Sequence, residues 1–345
     1  MFSIETLRKS TVPLLVLGAV VIVGFVAVKA SAVSAPAAME IRWLIAHEPT
    51  SVFERAEKIF ADELAAQSDG RMTLRVLKPG DAGFSGDVPS PEVRRLMDER
   101  AIELATIPVV NLAGVDQRML VFNLPFLFDD YAAAEAVLDG PVGSELLRGI
   151  AERTNAYALA FTFSGGFKII PSKKKISDAR DLKDLRVATP HGSVSEDSLR
   201  GFGAVPVTTD LEDIGDALGQ KNIDAIETTY TRMSTWLTPD VRYVLESNHA
   251  VFLTALIAEG DFYDSLSRSD QRILIDAAQA AANAERADSI ALAAKNRDTL
   301  KDMGVEVTVL SPDAKAALEE LSQPTYLKYE AVFGSDLIDR IRAGE

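Results

Sequence analysis

The sequence contains no cysteine among its 345 residues. Disulfides, thiol nucleophiles, thiolate metal sites and the lipidated cysteine of lipoproteins are therefore excluded. Its three histidines, His47, His191 and His249, lie far apart in the sequence and lack the spacing that is typical of zinc ligands. No metal and no cofactor is expected.

Sequence motifs of common enzymes are also missing. The G-x-S-x-G, H-E-x-x-H and G-x-x-x-x-G-K-[ST] patterns do not occur. Carboxylates are plentiful, but an acidic surface accounts for them without catalysis. The sequence therefore predicts a protein that is not an enzyme, and an extracytoplasmic enzyme is the least favoured interpretation.

Basic residues are scarce relative to acidic ones. The 36 Lys and Arg residues against 51 Asp and Glu residues give a formal net charge of −15. A surface of this charge repels phosphate backbones, so nucleic acid is not an expected partner. Apolar residues make up 47% of the chain, an ordinary globular value, and the length exceeds that of one average domain. A soluble two-lobed α/β protein that binds something small remains open after these exclusions.

The amino terminus has the pattern of an export signal. Arg8 and Lys9 precede an almost uncharged run, residues 12–28, which is followed by Lys29 and then by the small residues 30–32. A basic start, an apolar stretch and an A-x-A-like site are typical of a secretory signal peptide, with cleavage expected after Ala32. The alternative is an uncleaved membrane anchor, since 17 residues is the short limit for a membrane span. Residues 1–35 are assigned to this segment, and both alternatives place the folded part outside the cytoplasm.

Strand and helix patterns alternate in two separate regions. Residues 39–46, 71–77 and 102–107 have strand patterns, separated by helical patterns over 51–67 and 91–100. The alternation begins again near Ala156, and it predicts a mainly parallel sheet covered by helices. The strand-like segments of this second region are residues 156–163, 167–171, 185–189, 205–208 and 223–227, with helical patterns over 193–202 and 211–218.

A long helix is predicted after the second region. Ser267 and Asp270 have the spacing of a capping box, and alanine-rich helical sequence continues to Met303 before Gly304. A helix of this length in a globular protein usually bridges two lobes. The heptad order of a coiled coil is missing.

Six short segments together resemble the solute receptors of the tripartite ATP-independent periplasmic (TRAP) transporters, the DctP-type family. Each segment is a weak match alone, but all occur in the family's order along the whole mature chain. The segments are FNLPFLF at 122–128, DDY at 129–131, DLKDLRV at 181–187, GAVPV at 203–207, NIDAIE at 222–227 and FYDSLS at 262–267.

The resemblance implies the periplasmic-binding-protein-like fold, in which crossing strands and a long bridging helix join two α/β lobes. Lobe I is expected to comprise residues 36–164 and 250–290, and lobe II residues 165–249 and 291–345. The implied function is that of a periplasmic receptor that captures a small polar solute, an organic acid or other small anion, between its lobes. The implied partners are the small and large membrane subunits of the permease, and a monomer is expected.

The family's principal arginine is missing from the cleft strand. Aligning residues 186–190 (RVATP) with the family pattern places Ala188 where a carboxylate-binding arginine usually stands. A second cationic position follows a glycine–aromatic step, and Lys168 after Phe167 fits it. Lys168 is therefore the candidate charge partner for an anion, and Phe167 a candidate apolar wall.

Further candidates lie where strands end at the expected crevice. Thr189 and His191 lie between a strand and a helix start, where N–H groups favour an anion. Thr228 takes the place of a family asparagine, and it follows Glu227, which resembles a structural glutamate at the lobe interface. His47 and Thr106 follow the opening strands of lobe I.

The missing arginine and asparagine leave one alternative function open. A receptor-like sensor or scaffold, anchored in the membrane and with a diverged cleft, would also account for their loss. The identity of the ligand is not predicted.

Overall fold

The computed structural model describes residues 38–190, 192–209, 213–219, 222–233 and 241–345. The predicted export segment, residues 1–35, and the candidate His191 lie outside these ranges. Ala37–Glu345 forms one unit of contacts.

Eleven strands lie within the described ranges, and two of them are only two residues long. They are β1 (Met39–Ile45), β2 (Met72–Leu77), β3 (Leu104–Pro108), β4 (Ala156–Ser172), β5 (Arg186–Pro190), β6 (Val205–Thr209), β7 (Ala225–Ile226), β8 (Thr228–Thr229), β9 (Tyr243–Glu246), β10 (Val251–Glu259) and β11 (Glu306–Val309).

Thirteen α-helices are present in the same ranges. They are α1 (Glu54–Gln67), α2 (Ser90–Asp98), α3 (Tyr131–Asp139), α4 (Pro141–Ala151), α5 (Ala179–Leu182), α6 (Ser193–Gly201), α7 (Ile214–Ala217), α8 (Tyr230–Met233), α9 (Gly260–Ser265), α10 (Arg268–Asp302), α11 (Pro312–Leu321), α12 (Gln323–Phe333) and α13 (Ser335–Arg342). Short 3-10 helices cover Thr50–Phe53, Pro79–Ala82, Val109–Gly114 and Gln117–Asn123.

The strands form one continuous sheet with two differently built parts. In the first part the order is β2-β1-β3-β10-β4, and in the second β4 is followed by β7, β5 and β6. β8 and β9 also pair with β4, and β11 continues from β9. Pairs within each part, such as β1 with β2 and β5 with β6, are parallel, whereas every pair that includes β4 or β10 is antiparallel. The sheet is therefore mixed and not mainly parallel, because β4 and β10 run between its two parts in opposite directions.

Strand β4 belongs to both parts of the sheet and bends between them. Its beginning pairs with β10, and its end, from Lys168 onward, pairs with β8, β9 and β7. Between them, Ser164, Gly165 and Gly166 have positive φ angles of 43°, 125° and 74°. The register with β10 shifts at the same place. The sequence patterns over 156–163 and 167–171, which predicted two strands, are therefore the two halves of one bent strand.

Helix α10 spans both parts of the molecule. Its amino-terminal half, through Ile273 and Leu274, packs in a hydrophobic cluster with Trp43 and the residues of α1. Its carboxy-terminal half, through Ala293 and Leu300, packs in a separate cluster beside the second part of the sheet. The Ser267 hydroxyl accepts a hydrogen bond from the Asp270 N–H at the start of this helix. The predicted long bridging helix with its Ser267 cap is thus confirmed.

Candidate functional site

A buried carboxylate lies where the ends of β5 and β7 meet the second half of β4. Glu227 Oε2 accepts hydrogen bonds from Lys168 Nζ at 3.0 Å and from Thr189 Oγ1 at 2.7 Å. Its other oxygen lies 2.9 Å from Nε2 of His249, and Lys168 Nζ also donates to Ser195 Oγ at 2.8 Å. All five side chains are buried. We call this group the Glu227 cluster.

Charge in the Glu227 cluster is balanced internally. Burial would raise the pKa of Glu227, but the Lys168 ammonium and the His249 hydrogen bond outweigh burial and hold this pKa well below its usual range. Glu227 is therefore an anion that neutralises Lys168. Because a carboxylate only accepts hydrogen bonds, Nε2 of His249 carries a proton. The Ser247 hydroxyl lies 2.8 Å from Nδ1 of the same ring.

A second polar group connects residues from distant parts of the chain. Arg232, in α8, has its Nη1 3.0 Å from Nδ1 and 3.5 Å from Nε2 of His47, and this nitrogen donates to the Glu48 carbonyl at 2.7 Å. Its Nη2 lies 3.2 Å from Asp87 Oδ2, and the Glu48 N–H donates to Asp87 Oδ1 at 2.7 Å. We call these residues the Arg232 cluster. They join the end of β1 to the segment that follows β8.

Burial shifts the pKa values of the two titratable partners of Arg232 in opposite directions. It lowers the pKa of His47 below 6.5, although the nearby Asp87 carboxylate acts in the other direction. Burial alone would raise the pKa of Asp87, but His47, the Arg232 guanidinium and the Glu48 N–H hold it well below its usual range. The cluster therefore combines an ionised Asp87 with the Arg232 guanidinium, while burial disfavours the charged form of His47.

Strand β8 lies between Glu227 and Arg232 in the sequence and contains the predicted residue Thr228. It follows Glu227 directly and precedes α8, which carries Arg232. The Thr228 hydroxyl is buried, and it has no hydrogen-bond partner within the described part of the chain. A buried hydroxyl without a partner is costly, so this position is one where an external polar group would be stabilised.

Ala188 lies in apolar surroundings. It is fully buried and belongs to one hydrophobic cluster with Tyr230 and Met233 of α8. Ala188 is therefore packed among apolar side chains that include two from α8, the helix that also carries Arg232.

Two further predicted residues, Thr106 and Phe167, are buried and make contacts of their own. Thr106 accepts a hydrogen bond from the Trp43 indole at 2.9 Å, inside the core of the first part of the sheet. Phe167 packs against Tyr131, with ring centroids 4.8 Å apart. The structure thus brings together Lys168, Thr189 and Thr228 near Glu227, and places His47 in the Arg232 cluster.

Several residues of the clusters were not predicted from the sequence. Asp87 and Arg232 are single charged residues that carry no motif, and their partner His47 is 40 and 185 residues away. His249 and Ser195 have no sequence signal either.

In the described ranges, no group of three or more metal-binding side chains occurs. Within the same part of the chain, every helix is too short or too polar to span a bilayer.

Comparison with known proteins identifies relatives over most of the chain. Residues 45–331 match the family model described as bacterial extracellular solute-binding protein, family 7 (DctP). A solute-binding protein of Verminephrobacter eiseniae is 28% identical over 83% of this chain and 83% of its own length. The 2,3-diketo-L-gulonate-binding periplasmic protein YiaO of Escherichia coli is 26% identical over 84% of this chain and 86% of its own.

Solved structures agree with the fold. A TRAP periplasmic solute-binding protein of Pseudomonas putida with bound D-glucuronate has a TM-score of 0.78 and 24% identity, covering 88% of this chain and 97% of its own. The galactonate complex of a sugar acid binding protein from Advenella mimigardefordensis has a TM-score of 0.78 and 22% identity, covering 89% and 97%. The predicted two-lobed α/β fold, with crossing strands and a bridging helix, is confirmed.

Proposed function

Because the chain belongs to the family of bacterial extracellular solute-binding proteins, family 7, and is a TRAP-type solute receptor, we propose that it binds an organic acid with several hydroxyl groups. The binding site is the junction between the two parts of the sheet, where the Glu227 and Arg232 clusters lie on either side of Thr228. The solute is then delivered to the membrane subunits of a permease.

The observation that carries this proposal is the concentration of buried polar groups at the junction. Buried ionised groups cost free energy unless they are paired, and replacing them with apolar residues is often neutral or stabilising. Two such groups lie here, and Arg232 joins segments 145 to 185 residues apart. Thr228, whose hydroxyl has no hydrogen-bond partner within the described part of the chain, lies between Glu227 and Arg232 in the sequence. This arrangement suits recognition of a polar solute better than it suits stability.

An acid with hydroxyl groups fits the charges better than a simple monocarboxylate. Lys168 and Arg232 are cations at the junction, but Glu227 and Asp87 balance their charges. With Ala188 in place of the arginine, most of the affinity would come from hydrogen bonds and not from net charge. The relatives whose names mention galactonate, D-glucuronate and 2,3-diketo-L-gulonate support this class of ligand.

The remaining expectations follow from the family. We propose that the protein is exported to the periplasm, that it works as a monomer with small and large permease subunits, and that it catalyses no reaction. The bend of β4 at Ser164–Gly166 supports the proposed boundary between lobe I and lobe II near residue 164.

A thermal-shift screen tests the ligand class. The probes are D-galactonate, D-glucuronate and succinate, with galactitol as a neutral polyol control. A ligand at 100 times its Kd stabilises the folded state by about 2.7 kcal/mol, which shifts the melting temperature measurably. We expect the sugar acids to raise the melting temperature and galactitol not to do so. Stabilisation by galactitol, with none by any acid, would contradict the proposal.

A further inference from the structure

Arg232 connects the two parts of the molecule. It lies in α8, whose apolar residues pack in the core of the second part of the sheet. The partners described above belong to the first part. His47 follows β1, and Asp87 is fixed to the end of the same strand, because the N–H of the next residue, Val88, donates to the Ala46 carbonyl at 2.9 Å.

The first part of the molecule surrounds the guanidinium with three different groups. Nη1 donates to the Glu48 carbonyl at 2.7 Å, and Nη2 lies 3.2 Å from Oδ2 of Asp87. Nη1 also lies 3.0 Å from Nδ1 and 3.5 Å from Nε2 of His47, which places it over the face of the imidazole ring. Because burial disfavours a charge on this ring, a cation can lie against it without repulsion. The Arg232 side chain is only 8% exposed as a result.

A charged contact of this kind suits two surfaces that separate and meet again. Buried polar groups at the junction, such as Thr228, can be reached by a solute only when the two parts move apart. Separation exposes Arg232 and Asp87 to water, which solvates both ions, whereas an apolar contact would leave a hydrophobic patch exposed. Every group in the contact is supplied by the chain itself, so the contact needs no solute to form.

The backbone that joins the two parts is bent at one place. Ser164, Gly165 and Gly166 of β4 have positive φ angles, and the register between β4 and β10 shifts beside them. A few residues at the end of a regular element, with φ and ψ angles free to change, are where two parts of a protein rotate relative to each other. A rotation about this bend moves α8 relative to the end of β1, and the Arg232 contact opposes it.

We propose that Arg232 is a positioning residue for solute binding, which holds the two parts of the sheet in the closed arrangement through Asp87 and the Glu48 carbonyl. The contact then sets the fraction of molecules that is ready to bind, and the affinity for the solute falls in proportion to that fraction. This consequence for affinity rests on the proposed function, whereas the contact between the two parts does not.

Distances between pairs of spin labels test the contact without any solute. The chain has no cysteine, so two introduced cysteines are the only sites that are labelled. Lys58 in α1 and Arg94 in α2 belong to the first part and Arg180 in α5 to the second, and their side chains are 74%, 83% and 90% exposed. The pairs Lys58→Cys/Arg180→Cys and Arg94→Cys/Arg180→Cys give two independent distances. With Arg232 in place, we expect the main population of both pairs at the distance of the closed arrangement described here.

Substitutions of Arg232 in the labelled protein remove or weaken the contact. Arg232→Met should lower the ratio of closed to open molecules by about 10- to 100-fold, the range of one charge-assisted hydrogen bond. Arg232→Lys keeps the charge and should recover part of the closed population. Arg118→Met is the matched control, because Arg118 is a partly buried guanidinium whose partners, Asp116 and Glu145, lie in the first part as it does itself. It should leave both distances unchanged.

Asp87→Asn tests the same contact from its other side. Asparagine keeps an acceptor for the Glu48 N–H but removes the negative charge. The closed population should fall by a smaller factor, about 2- to 10-fold, because the Glu48 carbonyl still accepts from Arg232. Unchanged distances in Arg232→Met overturn the proposal, and if that variant does not fold, unchanged distances in Asp87→Asn do so. A wild-type protein without the closed population overturns it as well.

Calorimetry with D-galactonate tests the consequence for affinity separately. In each variant the Kd should rise by the same factor by which the closed fraction falls. A higher Kd in Arg232→Met with unchanged distances would show that Arg232 acts on the solute directly, which would overturn the positioning role. Failure of D-galactonate and the other acids to bind wild-type protein would contradict the proposed function, while the contact between the two parts would still be decided by the spin-label distances.

Discussion

Two glutamates, Glu227 and Glu285, are buried to the same extent but have opposite electrostatic character. Glu227 is surrounded by Lys168, His249 and a threonine hydroxyl, and its pKa is well below the usual range. Glu285, in α10, has a pKa that burial raises to about 7. Burial therefore does not fix the charge of a carboxyl group; the charge of its partners does.

The partners of Glu285 are mainly backbone groups of the bent strand. Its two oxygens accept the N–H groups of Phe163 and Ser164, both at 2.8 Å, and Oε1 also accepts the Ser289 hydroxyl at 2.5 Å. Ser289 Oγ in turn accepts the Gly165 N–H at 3.1 Å.

Three consecutive N–H groups of β4 are thus bonded to the helix that spans both parts of the molecule. The neighbouring cation, Arg286, is bonded to Asp139, to Asn283 and to the Phe161 carbonyl. Glu227 is part of an ion pair, whereas Glu285 holds a bend in the backbone.

Breaking the ion pair at Glu227 should give the largest change in stability. Lys168→Met leaves the buried Glu227 anion with only His249 and Thr189, and removing one partner of a buried pair typically costs about 3–5 kcal/mol. The double variant Lys168→Met/Glu227→Gln should recover much of this loss, because no unpaired charge remains. Urea unfolding measures both. A cost below about 1 kcal/mol for Lys168→Met would show that the pair is not needed.

Removing the charge of Glu285 should change the pH dependence of stability. The folded protein keeps a proton on Glu285 up to about pH 7, while the unfolded chain releases it near 4.5. The contribution of Glu285 to the free energy of unfolding is therefore fully present below about pH 4.5. This contribution, about 3 kcal/mol in total, is lost as pH rises through 7.

The variant Glu285→Gln isolates this contribution. The lowered pKa of His47 acts in the opposite direction, so the relevant quantity is the difference in free energy of unfolding between wild type and variant. The wild-type curve should fall relative to the variant curve between pH 4.5 and 7.5. Parallel curves would mean that Glu285 titrates normally.

The bend of β4 also explains why its sequence was interpreted as two strands. Ser164, Gly165 and Gly166 have the composition of a turn, and a turn signal between two apolar runs normally separates strands. Here the N–H groups at the bend do not pair with a neighbouring strand. Side chains of α10 accept their hydrogen bonds, and the strand therefore continues. This compensation comes from residues about 120 positions later, which no local pattern contains.

The residues of the site that could be predicted lie in family motifs, and those that could not lie outside them. Family motifs predicted Lys168, Thr189 and Thr228, because each follows a recognisable segment at a strand end. Arg232 and Asp87 lie in no motif, and their proximity to His47 depends on how the two parts of the sheet fold together. Long helices with capping signals, such as α10, were the most predictable elements.

A methyl group at the bend should test how closely it is packed. At Gly166 a Cβ atom would lie 2.4 Å from the Tyr131 hydroxyl, and φ is 74°. Gly304 has a similar φ of 86° but nothing within 4 Å of a Cβ, which makes Gly304→Ala the matched control. Both variants have the left-handed backbone cost, and Gly166→Ala should lose about 1–3 kcal/mol more through overpacking. Equal melting temperatures would mean that Tyr131 moves aside freely.

The smallest expected effect concerns the hydroxyl that supports Glu285. Ser289→Ala removes the acceptor of the Gly165 N–H and one donor to Glu285, whereas Ser198→Ala, the control, loses only a bond to the Val194 carbonyl of its own helix. Ser289→Ala should therefore be less stable than Ser198→Ala by about 1 kcal/mol. The Ser289 hydroxyl also lowers the pKa of Glu285, so its loss should extend the pH-dependent fall in stability above pH 7. Urea unfolding at several pH values measures both effects. A fall that ends at the wild-type pH would show that the backbone N–H groups alone set the charge of Glu285.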